Sequence, residues 1–217
     1  MDNFKIQVAG KGHLKYVAEI ERAIIQASKV KGTGIAKRSQ QYLIEKITQG
    51  KAVIATSNRN QFAGFCYIET WGHEKFVANS GLIVMDEFRG QGLAMEIKET
   101  AFRLSRELYP TAKIFGLTTS LAVMKINSTL GYKPVTFSEL TDDDAFWKGC
   151  QTCTYYDILF RTNRALCLCT AMLYDYEKEE KKIIDQGEKK INGKKNRKPS
   201  INLLDYLAVK KKKPLDI

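Results

Sequence analysis

The residues with the clearest chemical pattern lie in one run, Gly81-Leu-Ile-Val-Met-Asp-Glu-Phe-Arg-Gly-Gln-Gly-Leu-Ala94. An apolar strand passes through a short acidic turn into Arg89-Gly90-Gln91-Gly92-Leu93-Ala94, where a helix opens. Glycines there let backbone N–H groups approach an anion closely, and the helix N-terminus adds partial positive charge. The Gly-Lys-Ser/Thr of a Walker loop and the third glycine of a dinucleotide fingerprint are both missing. A bare Gly-x-Gly after a strand suits an anion site at a helix N-terminus and a plain tight turn into a helix alike. A second concentration is Cys150-x2-Cys153-x13-Cys167-x-Cys169, a set of thiols that invites a zinc reading.

These residues need elements to position them. Phe4 to Val8 alternates as a strand, and Val17, Ile20, Ala23, Ile24 and Ala27 recur at helical spacing between His13 and Lys31. A second helix is expected from Ser39, its N-cap, to Thr48. Lys51–Thr56, Phe62–Trp71 and Phe76–Met85 read as three strands, Gly90–Leu108 as a helix stopped by Pro110, and Ala112–Leu117 as a strand. Leu121–Leu130 is a short helix ended by Gly131. Pro134–Phe137, Thr154–Phe160 and Ala165–Tyr174 complete the pattern as strands, the last two joined by a turn at Arg161–Arg164. The order β-α-α-β-β-β-α-β-α-β-β-β predicts an α/β (α+β) fold, a mixed and mostly antiparallel sheet with helices on both faces. In the hairpin register, Cys153 stands three residues along from Cys169, roughly 10 Å at the usual strand rise. That separation favours packed reduced thiols over zinc; Cys66, mid-strand, reads as core.

Residues 1–174 form one expected domain, and 175–217 a Lys-rich C-terminal extension, partly helical or disordered. The net charge of +11 divides into +6 and +5 between them. A positive balance suits a polyanionic or phosphate-bearing partner. There is no basic n-region followed by an apolar stretch and no run of about 18 uncharged apolar residues, so a cytoplasmic protein without a membrane span is expected.

The loop through Arg89, Gly92 and Ala94 resembles the Arg/Gln-x-x-Gly-x-Gly/Ala motif of the GNAT superfamily of acyl-CoA N-acyltransferases. Leu130-Gly-Tyr-Lys-Pro-Val135 is similar to that family's Leu-Gly-Phe-x-Pro-Val segment, and the element order from Phe4 to Tyr174 fits throughout. The resemblance implies acetyl-CoA or another acyl-CoA as co-substrate. Leu82, Ile83 and Val84 would then present backbone groups to the pantetheine arm. The amides of Arg89, Gly90, Gln91, Gly92, Leu93 and Ala94 would hold the pyrophosphate, with the Arg89 side chain beside them.

Acyl transfer to an amine needs a base for the ammonium and an oxyanion donor, and often an acid for the leaving thiolate. Many GNAT proteins carry a tyrosine where this sequence has Asn127, and an asparagine where it has Ser120. Asn127 is retained here as a cofactor-binding candidate and Ser120 as a catalytic one, within Thr118-Thr-Ser120 lining the cleft. Glu69, ending the third strand, is the first candidate base. His73 in the next turn stands behind it, and His13 has no claim. The insertion Asp142–Cys153 would wall the acceptor pocket or cover a sheet edge.

Val77–Val84, Phe146–Cys150 and Cys167–Met172 look like a Bacteroidetes-type subgroup often encoded beside arginine-biosynthesis genes. That resemblance implies transfer of an acetyl or succinyl group to an amino acid such as glutamate, for whose carboxylates Arg22, Lys37, Arg38 and Lys75 are available. A protein or peptide N-acetyltransferase is the alternative, and it predicts an open groove between the Gly10–Gly34 region and the C-terminal hairpin. A non-catalytic acyl-CoA or nucleic-acid binder using the basic tail is a third reading, with nucleic acid the minority partner. A homodimer is compatible with each.

Overall fold

A computed structural model describes residues 3–180 of the chain. Seven strands form one sheet: β1 (Phe4–Val8), β2 (Ala52–Ser57), β3 (Phe62–Trp71), β4 (Phe76–Val84), β5 (Lys113–Thr118), β6 (Lys133–Val135) and β7 (Thr170–Tyr174). Their order is β1-β2-β3-β4-β5-β7-β6, and only the β4–β5 pair is parallel. The helices are α1 (Val17–Lys29), α2 (Gln40–Thr48), α3 (Leu93–Leu108), α4 (Leu121–Thr129), α5 (Asp144–Lys148) and α6 (Tyr156–Arg161). The mixed, mostly antiparallel sheet with helices on both faces is as expected.

The two faces have separate cores. On one, Leu93, Ile97, Ala101 and Leu104 of α3 pack on Val53, Cys66, Ile68 and Val77. On the other, Ile20 and Ile24 of α1 and Leu43 and Ile47 of α2 pack on Ile54, Phe65 and Tyr67. The sheet centre is covered on both sides, so β2 is buried along its whole length and is apolar from Ala52 to Ala55. Ser39 caps α2 by accepting from the Tyr42 amide, 3.3 Å, and Ser120 caps α4 through the Val123 amide, 3.4 Å.

Two expectations fail at the C-terminal side. Thr154–Phe160 is not a strand: Tyr156–Arg161 is α6, and only Thr170–Tyr174 of the last segment is extended. The apolar run Ile158-Leu-Phe160 suits either period. The helix buries Leu159, brings Asp157 and Arg161 into an i,i+4 ion pair, and lets Tyr156 meet Phe160. Meanwhile β7 takes both β5 and β6 as neighbours, leaving no partner for a further strand beside it. The hairpin register that set the cysteines apart therefore does not exist. The first helix also opens differently, as a 3₁₀ segment from Lys11 to Tyr16. The Lys-rich extension, apart from its first residues, lies outside the described residues.

What positions the site is how β4 leaves β5. They pair through Phe76–Ala78 and Lys113–Phe115 only. Beyond that, β4 shifts register against β3 between Tyr67 and Phe65, so Gly81 and Leu82 together oppose Cys66. Such a bulge bends its strand and increases the local twist. Gly81 carries φ +66, and a Cβ there would lie 2.5 Å from the Tyr67 ring. Gly81→Ala is expected to cost about 2–4 kcal/mol of unfolding free energy, from the left-handed backbone plus the clash. Gly32→Ala, equally left-handed but in open space, should cost about 1–2 kcal/mol. Urea denaturation of both variants checks this, and equal losses would contradict the bulge.

Candidate active site

The glycine loop has the geometry its sequence suggested. Gly90 and Gly92 take φ +77 and +83, and Gly92 is the N-cap of α3. The first amide to return into the helix is Met95, which donates to the Gly92 carbonyl at 2.9 Å. The amides of Gly92, Leu93 and Ala94 thus stand at the positive end of a sixteen-residue helix, where the backbone alone suits an anion. Arg89 holds the loop: its Nε donates to the Val84 carbonyl at 3.2 Å and its Nη2 pairs with Asp86 at 2.7 Å. That pair is well exposed, so it orders the loop more than it stabilises the fold.

Between this loop and the β4–β5 junction runs an open strand edge. Met85 donates to the Ala63 carbonyl and Lys113 to the Lys75 carbonyl. By strand alternation, Leu82 and Val84 then turn their backbone groups toward the gap, while Ile83 turns its own toward β3. Of the three strand residues proposed to line the gap, two thus do so with their backbone. The third, Ile83, buries its side chain on the α1–α2 face.

Where the gap meets the α1–α2 face lies a cavity of about 110 Å³. Ala78, Ser80, Gly81, Gly116 and Leu117 form its sheet wall, and Gly34–Arg38 lies opposite. Phe146, Gly149, Tyr156 and Leu159 complete it, so the inserted segment does wall a pocket. The roof is bonded down. Arg38 donates from Nη1 to the Gly149 carbonyl at 3.1 Å, Thr152 bonds the Lys37 carbonyl, Thr154 the Ser28 carbonyl, and the Gly34 amide bonds Thr119 Oγ1. These contacts bridge Ser28 and Gly34 to the far side of the cavity, in the region where the protein-acceptor alternative expects an open groove.

Arg38 lies under Tyr42 and Tyr67, its Nε donating to the Tyr67 hydroxyl at 2.9 Å. Its partners are phenols and carbonyls, so among the described residues its charge is not matched by a carboxylate. Glu69 lines an adjoining cavity of about 240 Å³ that shares Arg38, Tyr67 and Ser80 with the first. Its two oxygens accept from Lys46 Nζ and from the Tyr42 hydroxyl. Burial, followed by Tyr67 and Glu69, raises Tyr42 far above the usual tyrosine range, so it acts there as a neutral donor. Ser120 is exposed and serves as the α4 cap. Asn127 is buried, its Nδ2 3.7 Å from Met172 Sδ and its Oδ1 without a partner. His73 is an exposed turn residue at φ +56, and His13 accepts from the Gly10 amide at the first 3₁₀ turn.

Four residues of this region escaped the sequence reading. Tyr42 and Lys46 were legible as an i,i+4 pair on α2, facing one carboxylate. Tyr67 looked like any strand aromatic. Lys98, 2% exposed on α3, was signalled only by a lysine in the stripe of Leu93, Ile97, Ala101 and Leu104. Cys150, Cys153, Cys167 and Cys169 all line the first cavity. Among the described residues no group of three or more His, Cys, Asp or Glu side chains has the arrangement of a metal site. No helix among them is long and apolar enough to cross a membrane.

No protein-family model matches the chain, and no curated protein matches it in sequence. Solved structures do match. N-acetylglutamate synthase from Neisseria gonorrhoeae, complexed with coenzyme A and N-acetyl-glutamate, superposes with a TM-score of 0.56 at 15% identity over 79% of this chain. That match covers 34% of the gonococcal protein, so the chain spans about a third of its length. Rv2747 from Mycobacterium tuberculosis, complexed with CoA, gives 0.58 at 13% identity over 79% of this chain and 98% of its own. Mosquito arylalkylamine N-acetyltransferase like 5b gives 0.54 at 16% identity, over 79% and 99%. At such identities the likeness is one of fold, and the fold is that of the GNAT acetyltransferases.

The cavity thiols supply a test of this geometry. Burial pushes Cys150 up to about 11 and raises Cys153 and Cys169. Fewer thiolates than in a free cysteine are then present at pH 8. Iodoacetamide should modify Cys150 about two orders of magnitude more slowly than a free thiol near 8.5. The rate should rise with pH until about 11, read peptide by peptide by mass spectrometry.

Proposed function

We propose that the chain is an N-acyltransferase that moves an acetyl or succinyl group from acyl-CoA to the primary amine of a small acceptor. The observation that carries this reading is the parting of β4 from β5, which leaves a strand edge at Leu82 and Val84 between the N-terminus of α3 and the cavity lined by Ser80, Gly81, Gly116 and Leu117. On this reading the amides from Arg89 to Ala94, with Gly90, Gln91, Gly92 and Leu93 between, hold the pyrophosphate. Leu82 and Val84 pair with the pantetheine arm as an added strand would, with Ile83 behind them in the core and Asn127 near the thioester. The solved relatives bound to CoA support the choice of donor.

The chemistry then needs little from the side chains. Glu69 takes a proton from the acceptor ammonium through water, keeping capacity for it because a carboxylate offers about four acceptor sites and two are filled. The amine attacks the thioester carbonyl, and backbone amides beside the bulge stabilise the oxyanion. Ser120 is left as a helix cap that borders the cleft.

The roofed cavity favours a small acceptor over a protein chain, and Arg38 favours one with a carboxylate, as an amino acid has. The neighbours named for glutamate and for arylalkylamines span the acceptor classes to be compared. The resemblance to a subgroup encoded beside arginine-biosynthesis genes puts glutamate first to be tried. Thiol release from acetyl-CoA and succinyl-CoA, screened over amino acids and arylalkylamines, tests the reading. An α-amino acid should support turnover. Arg38→Met should raise its KM about 10–100-fold, the loss of a charge-assisted bond, and leave the KM for acyl-CoA unchanged. Binding of CoA without turnover on any amine would establish a binding protein instead.

A further inference from the structure

The carbonyl of Asn79 is the first acceptor on β4 for which β5 supplies no amide, because pairing ends at Ala78 and Phe115. Lys98 Nζ takes the place of that amide, 3.3 Å away. The lysine reaches it from α3, beside a buried network in which the Asn79 side chain donates to Ser105 Oγ and accepts from the Tyr132 hydroxyl. It forms no ion pair among the described residues, and its neighbours are the Tyr132 ring, 5.6 Å from Nζ, and the Cys66 thiol. An ammonium has three donors, and one is used here. The 1% exposed Asn127 keeps its Oδ1 without a partner among the described residues. The two side chains flank one bare strand position: a Cβ on Gly116 would lie 3.7 Å from Lys98 Nζ and 3.9 Å from Asn127 Nδ2. Gly116 also lines the acceptor cavity.

A buried amine with two unused donors and a buried amide whose Oδ1 has no partner among the described residues both lie against Gly116, where β4 and β5 have parted, and such groups are costly unless a polar ligand joins them. On the acyltransfer reading the acyl carbon lies where the parted strands meet the cavity, beside Gly116. Resting on the acyltransfer reading, we propose that Lys98 is the catalytic acid, placed with Asn127 at the thioester sulfur, and that it protonates the departing thiolate. When the amine nitrogen has bonded to the acyl carbon, the C–S bond breaks and its electron pair goes to sulfur. The Lys98 ammonium gives that sulfur a proton, producing the free thiol of CoA. The neutral lysine is recharged, through water, by the proton that the new amide nitrogen sheds. The other proton, taken earlier from the acceptor ammonium by Glu69, returns to solvent, so charge and atoms balance.

Burial lowers Lys98 from the ordinary lysine value and brings it nearer to that of a thiol, which suits an acid for this leaving group. The groups that face it are Cys66 from β3, Asn79 from β4, Asn127 from α4 and Tyr132 beyond α4. Burial raises both Cys66 and Tyr132, holding each toward its neutral form. A lysine lowered in this way holds its proton below the shifted value and loses it above. Turnover should therefore fall on an alkaline limb lying below the usual lysine range.

Lys98→Met keeps the length and apolar stem. It should lower kcat with acetyl-CoA about 100-fold, abolish the alkaline limb, and leave CoA affinity within a few-fold of wild type. Lys98→Arg covers the case in which the methionine variant does not fold: it retains charge but moves the limb beyond the measurable range. An unchanged kcat and limb in Lys98→Met, or an unchanged limb in Lys98→Arg, overturns the inference while leaving acyl transfer in place. A wild-type protein that turns over no amine overturns the acyltransfer reading, and this inference with it.

Discussion

A parallel strand pair that is joined for three residues and then separates leaves backbone donors and acceptors in the middle of a sheet, and most of the site follows from how they are satisfied. A buried peptide group without a partner costs about 1–3 kcal/mol, so a sheet does not open for nothing. At the base of the opening Lys98 Nζ replaces a strand amide at the Asn79 carbonyl, and at its mouth Arg89 Nε does so at the Val84 carbonyl. Between those two bonds the edge is left to something that can pair like a strand. The bulge at Gly81–Leu82 is what lets β4 keep β3 on one side while it leaves β5 on the other.

Charge is distributed with the same economy. The +11 of the chain suggested a polyanion, yet the groups aimed at the phosphate end are mainly amides, whose partial charges need no counter-ion and no long side chain to immobilise. The buried cations stand elsewhere. Lys46 is matched to Glu69, Arg38 is surrounded by neutral acceptors and rings, and Lys98 has carbonyl, ring and thiol for company. A cation held without a carboxylate keeps its field available to a ligand, whereas the Lys46–Glu69 pair cancels most of its own.

The fold was legible because each of its signals was local. Helix stripes on α1 and α3, the apolar runs of β2 to β4, the N-cap Ser39, and the Arg89–Ala94 loop each act within a few residues. The site was legible only where it is made of backbone. Glu69 and Arg38 could be named as chemically able, but Lys46 and Tyr42, which bond Glu69, and Tyr67 and Gly149, which bond Arg38, come from 23 to 111 residues away in sequence, and no spacing rule reaches that far. Lys98 shows the same limit in reverse: one lysine on an apolar stripe breaks the pattern, and only the packing shows what it is bonded to. The segment 154–169 was misread because Ile158-Leu-Phe160 fits both periods, and the choice was made by β7 occupying the neighbouring sheet position.

That misreading matters to how the cavity is closed. A hairpin would have extended the sheet and left the region above β5 open, with Cys153 and Cys169 held apart by strand geometry. Two short helices instead fold over the cavity and bring the sulfurs of Cys150, Cys153, Cys167 and Cys169 into its lining. Burial holds Cys150, Cys153 and Cys169 toward the protonated form, so they serve there as small, polarisable and uncharged surface. Next to them Arg38 supplies the positive charge of the wall, anchored to Gly149 of the segment it helps to hold down. The residue that would select a carboxylate thus also fastens the roof, so recognition of the acceptor and closure of its pocket are coupled through one guanidinium.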